Sequence, residues 1–367
     1  MTAPTRGPST SGLTSQDQAP STRRAPTLTQ SGRSANQPDA AGSQELTMAK
    51  AINLALHHAM EQDQKVLVMG EDVGQLGGVF RVTDTLQVTF GHDRVRDTPL
   101  AESGIVGTAI GLAMRGYKPV CEIQFDGFVY PAFDQITSQL AKLHARSAGQ
   151  IQLPVLIRLP YGGGIGAVEH HSESPEAIFA HTAGLRVVTP ATPQDAYTMV
   201  RAGIDHPDPI ILLEPKARYW QRGPVDTAQL DPAVLTCARL ARPGRHVTVA
   251  AYGPTVQTAL QAARQAAVQG VELEVWDLRA ISPLDFDALE ASVKTTGRLI
   301  TVHEAPVYFG AGAEIAARLT ERCFYHLLAP PLRVGGAHLP YPPALVEAEY
   351  LPSPERLLQA VHRIMDY

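Results

Sequence analysis

Cysteine is scarce in this chain. Cys121, Cys237 and Cys323 are the only three among 367 residues. Their spacing makes neither a metal-ligand motif nor a disulfide framework, and their apolar neighbours predict buried thiols in a reducing compartment. Long hydrophobic runs are missing as well: no stretch approaches the roughly 18 apolar residues that a membrane-crossing helix needs. An excess of basic charge is absent too. The formal net charge is -5 and the pI about 6.2, which argues against nucleic acid as a main partner. Two phosphate-binding signatures also fail. The glycine cluster at 162–166 is followed by no Lys-Ser/Thr, as a P-loop requires, and the turn Gly70-Glu71-Asp72-Val73-Gly74 is not GxGxxG.

What is present is a globular composition, 44% hydrophobic and 18% charged, in a length that predicts two domains. Residues 1–45 stand apart. They are rich in Ser, Thr, Gln, Pro, Gly and Ala and nearly devoid of large apolar residues, so a disordered extension is expected. Arg6, Arg23, Arg24 and Arg33 faintly suggest a transit peptide, but no amphipathic pattern and no apolar signal core accompany them. Periodic structure begins near Met48, which makes that residue a candidate start codon.

From there strands and helices alternate. Short apolar strands at 65–69, 118–123, 154–159, 186–189 and 210–214 are interleaved with helices at 48–60, 83–90, 131–146, 175–183 and 193–204. Residues 94–97 read as a short connection. Residues 223–244, proline-rich and aperiodic, read as a linker. The rhythm then resumes, with strands at 246–252, 271–277, 298–304 and 331–334 and helices at 255–269, 285–295, 311–324 and 353–365. Such alternation predicts parallel sheets covered on both faces. The expected fold is therefore α/β, with two open, mostly parallel-sheet domains at 46–222 and 245–367.

The most informative stretch is PLAESGIVGTAIGLAMRG, residues 99–116. Spacings of three and four place it on a helix with Glu102 at its start. A carboxylate in a first turn is favoured by the helix dipole alone. But Gly104, Gly107 and Gly111 each cost roughly 1 kcal/mol against alanine, a cost that usually signals close approach of another backbone. Acidic residues at the end of the first strand fit the crevice of an open α/β sheet, as well as a solvated turn. The pair His170-His171 is expected to point to opposite sides, so that at most one reaches a given site.

These residues sit in a series of motifs: GEDVG (70–74), GGVFRVT (77–83), DTPLAESGIVG (97–107), EIQFDGFVYPAFDQ (122–135), HHSESPEA (170–177), GLRVVTPATPQDA (184–196), EPK (214–216), DLRAISPLD (277–285) and TGRLITVHEAP (296–306). In this order, over nearly the whole folded chain, they resemble the β subunits of thiamine-diphosphate-dependent 2-oxo acid dehydrogenases of the two-gene α/β type. The resemblance implies a transketolase-like pyrimidine-binding domain followed by a transketolase C-terminal-like domain.

It also implies roles. Glu102 looks like the acid that hydrogen-bonds N1′ of the aminopyrimidine, and burial in a crowded site raises a carboxyl pKa as such proton exchange needs. Leu100 and Ala101 would line the same pocket. Phe128 would lie against the aminopyrimidine, worth roughly 0.5–1.5 kcal/mol beyond burial. Gln124 would hydrogen-bond the cofactor, and Glu71 and Phe125 would line the substrate side. His171 matches the family's active-site histidine, which would stabilise charge during decarboxylation or assist reductive acyl transfer to lipoamide. His170 carries no assigned role.

Enzymes of this class hold the diphosphate through Mg²⁺ on a Gly-Asp-Gly motif. None occurs in this sequence. The resemblance thus implies an α subunit that holds Mg²⁺, a shared cofactor, an α2β2 assembly, and a lipoyl acyltransferase that docks on the second domain. There the chain departs from the usual pattern at Val307-Tyr308-Phe309-Gly310 and at His338. A monovalent cation, K⁺, is implied at Leu153, Val155, Leu156, Gly203, His206 and Asp208. The segments 130–136 and 181–188 look closer to branched-chain enzymes than to pyruvate ones, a pyruvate or acetoin dehydrogenase β subunit is the alternative, and a cytoplasmic location is expected. The competing reading is a non-enzymatic α/β binding module, whose nucleotide-binding glycine fingerprint is missing.

Overall fold

A computed structural model describes residues 43–367. The first lobe contains β1 (Gln44–Thr47), β2 (Val66–Gly70), β3 (Val95–Asp97), β4 (Lys118–Glu122), β5 (Leu156–Tyr161), β6 (Arg186–Val188), β7 (Ile210–Pro215) and β8 (Arg222–Val225). The second contains β9 (Arg239–Arg242), β10 (Val247–Ala251), β11 (Leu273–Asp277), β12 (Ala280–Ser282), β13 (Leu299–Pro306) and β14 (Leu332–Gly336). Strands β5 and β7, LIRLPY and IILLEP, are buried along their whole length. Parallel strands covered on both faces need such unbroken runs.

The larger sheet has the order β12-β6-β7-β5-β4-β2-β3 and is parallel except for β12. From β2 the chain steps outward to β3, then crosses back to β4 on the other side. The switch point between β2 and β4 is where an open α/β sheet offers a ligand crevice beyond its carboxyl ends. The smaller sheet has the order β14-β13-β10-β11-β9, parallel except for β9. One apolar core runs through both lobes and joins Ile157 and Leu213 to Tyr252, Ile281 and Phe286.

Two helices brace the larger sheet from one side. Met48–Gln62 is capped by Thr47, whose hydroxyl accepts the Lys50 N–H. Pro193–Asp205 is capped by Thr192, which accepts the Asp195 N–H. They pack on each other through Ile52, Leu56, Tyr197 and Val200.

Several local expectations change. The disordered extension expected over 1–45 lies outside the described residues except for its last three, of which Gln44 and Glu45 open β1. The connection at 94–97 contains strand β3, which starts at Val95. The helix expected at 131–146 is a 3₁₀ turn at Asp126–Ala132, a π-helical turn at Gln135–Leu140 and an α-helix at Ala141–Arg146. The helix expected at 83–90 shortens to Leu86–Phe90, and the one at 175–183 to Glu176–Ala180. Residues 223–244 carry the end of β8, paired antiparallel with β1, a 3₁₀ turn that buries Val234 and Leu235, and strand β9. Cys237 is exposed, against expectation, because it sits at the surface in the turn before β9. Among the described residues no helix is long and apolar enough to cross a membrane.

Candidate active site

The crevice beyond β2 and β4 is built by close backbone contact. A Cβ on Gly70 would lie 2.6 Å from the Glu122 carbonyl oxygen, so the two strand ends meet there as only glycine permits. Glu71 and Asp72 follow β2, with Asp72 in the left-handed region at φ 56°. Glu71 is half-buried, and its Oε1 is buried without a hydrogen-bond partner among the described residues. Burial, then the negative charges of Glu102 and Asp72, push its pKa up. Gln124, after β4, donates to Asp72 Oδ2 at 3.0 Å.

Glu102 opens the helix Glu102–Met114 with Ala101 as N-cap. It is only 6% exposed, yet no side-chain hydrogen bond or ion pair to it occurs among the described residues. Its lead-in is tied to the crevice by the Thr98 N–H, which donates to the Gly70 carbonyl at 2.9 Å. Leu100 is 74% exposed and Ala101 is exposed. The glycine face of this helix is not crowded by its own chain. A Cβ on Gly111 would meet nothing within 4 Å, and one on Gly104 only Ala101 Cβ at 3.7 Å.

Aromatic rings form the opposite wall. Phe125 stacks on His171 with centroids 4.0 Å apart, and Phe128 meets His171 edge-on at 5.0 Å. The two histidines do not diverge as expected: their rings lie 4.3 Å apart. Residues 169–171 form a 3₁₀ turn, where successive side chains step by about a third of a circle rather than alternating as on a strand. His171 Nδ1 lies 2.9 Å from the His170 carbonyl. His170 itself is exposed, 3.5 Å from Glu169.

Buried ion pairs fix this wall. Asp126 accepts from Lys216 Nζ at 2.7 Å and from the Glu173 N–H at 2.9 Å, so it links the turn after β7, the loop after β4 and the segment just past the histidine turn. Burial pushes Asp126 up and Lys216 down. A Cβ on Gly127 would lie 2.2 Å from the His170 carbonyl oxygen, so no other residue fits. Neither Asp126 nor Lys216 was singled out from the sequence, although each lies inside a quoted motif.

The structure thus brings Glu71, Gln124, Phe125, Phe128 and His171 into one crevice, with Glu102 close enough to act on Glu71. What it does not bring there is an anion anchor. Among the described residues no group of three or more His, Cys, Asp or Glu is arranged to hold a metal. The N–H groups of the glycine loop are already taken: Gly163 donates to Glu304, and Gly164 and Gly166 to Glu347.

The transketolase pyrimidine-binding domain matches residues 44–221, and the transketolase C-terminal domain matches residues 237–357. The chain is 56% identical to the pyruvate dehydrogenase E1 component subunit beta of Leifsonia xyli over 297 residues, 81% of this chain and 88% of the relative. The chain belongs to the E1 β subunits of the 2-oxo acid dehydrogenases. It is also 54% identical to a 3-methyl-2-oxobutanoate dehydrogenase subunit beta of Mycobacterium tuberculosis over 299 residues, 81% of this chain and 86% of the relative. A 2-oxoisovalerate dehydrogenase subunit beta of Pseudomonas aeruginosa is 43% identical over 313 residues, 80% of this chain and 88% of the relative. A solved structure titled split gene transketolase, inactive beta4 tetramer shares the fold, with a TM-score of 0.72 at 21% identity over 88% of this chain and 98% of that one.

Enzymes of this E1 family depend on thiamine diphosphate, and half of a site for it fits here. A nearly buried, unpartnered Glu102 and an orphaned Glu71 oxygen offer acceptors, and Phe125 and Phe128 offer flat apolar surface. Residues for the diphosphate and its metal are not among those in the crevice.

The corner named for a monovalent cation is brought together. The Leu153 N–H donates to the Pro207 carbonyl, and His206 Nδ1 lies 3.0 Å from the Asp208 backbone. The carbonyls of Leu153, Val155 and Gly203 there each already accept one backbone N–H. A cavity of about 1270 Å³ lies elsewhere, between the helix Glu176–Ala180 and the start of the helix Ala311–Cys323.

Proposed function

We propose that this E1 β subunit supplies the pyrimidine half of a thiamine-diphosphate site and, with an α subunit in an α2β2 assembly, decarboxylates branched-chain 2-oxo acids in the cytoplasm. The observation that carries the reading is Glu102. The residue is only 6% exposed, its carboxylate has no partner among the described residues, and a group bound in the crevice would supply one.

Thiamine diphosphate, when bound, would supply a carbon acid whose deprotonated form is the nucleophile toward the 2-oxo group and the sink for the electron pair released with CO2. Glu102 would hold or release the proton at N1′ of the pyrimidine. Phe128 would fix the ring by its face, and Leu100 and Ala101 would close the pocket against the α subunit. Gln124 would hold Asp72 and the cofactor's polar edge in register. Glu71 and Phe125 would border the substrate. The α subunit would hold Mg²⁺ and the diphosphate, and the carbonyl-rich corner at Leu153, Val155, Leu156, Gly203, His206 and Asp208 would take K⁺.

The overall reaction balances on lipoamide. The 2-oxo acid loses CO2 and is oxidised to an acyl group, while the lipoamide disulfide breaks. One sulfur takes the acyl group as a thioester and the other takes a proton. His171, with Nδ1 donating to the His170 carbonyl, keeps Nε2 free to exchange that proton.

The branched-chain assignment rests on the segments 130–136 and 181–188 and on the Mycobacterium and Pseudomonas relatives. Pyruvate is the second reading, because the Leifsonia relative is a pyruvate dehydrogenase subunit. Selectivity between the two amounts to about 1–3 kcal/mol per methylene in a pocket shared with the α subunit. Co-expression with the α subunit, then decarboxylation assays with 3-methyl-2-oxobutanoate and pyruvate, tests the proposal. A preference for pyruvate changes the substrate and keeps the mechanism. No activity with either acid overturns it.

A further inference from the structure

The glycine loop at 162–166 lacks the Lys-Ser/Thr of a P-loop. Its geometry shows an anion cradle that is filled from within the chain. Gly162, Gly164 and Gly166 have φ of +80°, +86° and +68°, a backbone open to glycine and strained for other residues. This turns neighbouring N–H groups toward the second lobe. There the Gly163 N–H donates to Glu304 Oε2 at 3.1 Å. The Gly164 N–H donates to Glu347 Oε1 at 2.9 Å and the Gly166 N–H to Glu347 Oε2 at 3.2 Å. Tyr341 completes the arrangement by donating its hydroxyl to Glu347 Oε1 at 2.7 Å. A Cβ on Gly163 would lie 1.8 Å from that hydroxyl.

The same loop leads directly to His170 and His171. Its base is closed by the Gly162 N–H, which donates to the Glu173 carbonyl at 2.9 Å. Ile165 and Val168 are exposed, so apolar burial contributes little to holding it. A segment with few buried contacts opens locally at low free energy unless specific bonds restrain it. Charge-assisted bonds to a buried carboxylate are such a restraint.

We propose that Glu347, from the second lobe, is a positioning residue for His171: through Gly164 and Gly166 it fixes the loop that presents the imidazole to the acyl acceptor. This rests on the role given to His171 above. Glu347 bonds Gly164, Gly166 and Tyr341 rather than any of the crevice residues Glu71, Glu102, Gln124, Phe125, Phe128 and His171. Its expected effect is therefore on the step that uses the imidazole, more than on substrate binding.

The test uses the full chain assembled with its α subunit and the variant Glu347→Gln. Glutamine keeps Oε1 for Gly164 and Tyr341, but its amide N–H faces the Gly166 N–H, donor against donor. Two rates are compared, lipoamide acylation and decarboxylation with ferricyanide as electron acceptor. The ratio of the first to the second should fall about tenfold, with the KM for the 2-oxo acid unchanged. Backbone hydrogen exchange at 163–168 should speed up by about tenfold while exchange in β5 and β7 stays as in the wild type. Tyr341→Phe, which removes one bond of the set and disturbs the fold less, should move both readouts in the same direction by a smaller factor.

An unchanged ratio in both variants overturns the proposal, and so does an equal loss of the two rates with faster exchange throughout the chain. Should the wild-type assembly decarboxylate no 2-oxo acid, the proposed function fails instead, while the exchange comparison still reports whether Glu347 holds the loop.

Discussion

The imidazole of His171 lies face to face on the ring of Phe125, with centroids 4.0 Å apart and planes 18° from parallel. Phe128 flanks the same imidazole with its centroid 5.0 Å away and its plane nearly perpendicular, so two rings restrict rotation of the side chain. His171→Ala should keep cofactor affinity, measured by circular dichroism of the assembled enzyme, because Glu102 and Phe128 are untouched. The overall rate should fall by about two to four orders of magnitude, the usual worth of a positioned proton-transfer group. Unimpaired lipoamide acylation would remove His171 from the mechanism.

Glu102→Gln should leave assembly with the α subunit intact, since the side chain makes no hydrogen bond or ion pair among the described residues. Proton exchange at C2 of bound thiamine diphosphate, followed by NMR after a pulse of deuterium oxide, should be lost. Exchange at the wild-type rate would show that another group serves N1′.

Much of this site was legible in the sequence because its residues sit at strand ends and at a helix start, where local pattern fixes position. Glu71 follows β2, Gln124 to Phe128 follow β4, and Glu102 opens its helix. What escaped the sequence was set by contacts between distant segments. Strand β12 has three residues and pairs antiparallel with β6 from the other lobe, which no local periodicity announces. The side-by-side histidines depend on a 3₁₀ turn held by Asp126 and Lys216, from 126 and 216. The 131–146 region was recognisably helical from its apolar face, but its π-helical turn leaves no mark in a spacing of three and four.

Gly127→Ala tests the contact that seats the histidine turn. The new methyl would sit 2.2 Å from the His170 carbonyl oxygen, which is backbone and cannot rotate aside. Overpacking of this kind costs about 1–3 kcal/mol. Thermal unfolding should show that loss, and lipoamide acylation should fall more than ferricyanide-linked decarboxylation, because the displaced element carries His171. A variant as stable and as active as the wild type would mean that the turn yields without cost.

Arg158 is fully buried between two carboxylates. It makes paired bonds to Glu214 at 2.7 and 2.8 Å and a further bond to Glu122. Tyr219 donates to the same Glu214 at 2.6 Å. Arg158→Met keeps much of the volume but leaves two buried acids without their cation. Removing one partner of a buried ion pair costs about 3–5 kcal/mol, so chemical unfolding of the chain should shift by that order. Adding Glu122→Gln and Glu214→Gln should recover part of the loss, and failure to recover any would show that packing rather than charge sets the cost.

Glu176 gives the seam between the lobes a pH dependence. It opens the helix Glu176–Ala180, is fully buried, and accepts the Tyr252 hydroxyl at 2.6 Å, while its Oε2 has no partner among the described residues. Burial, with a smaller push from Glu304, raises its pKa from 4.5 to about 7 against the pull of the Tyr252 bond. The folded protein therefore favours the protonated acid. Its contribution to stability is complete below pH 4.5, the unfolded value, and is lost as pH rises through about 7. Glu176→Gln keeps the oxygen that accepts from Tyr252 and carries no charge at any pH. Unfolding free energies of the two proteins should thus diverge as pH rises. The glutamine variant should gain about 3 kcal/mol relative to wild type between acid and alkaline pH, at 1.36 kcal/mol per pKa unit. Parallel stability curves across that range would mean that the Glu176 charge is relieved inside the folded chain, with water or a shifted Tyr252 as its partner.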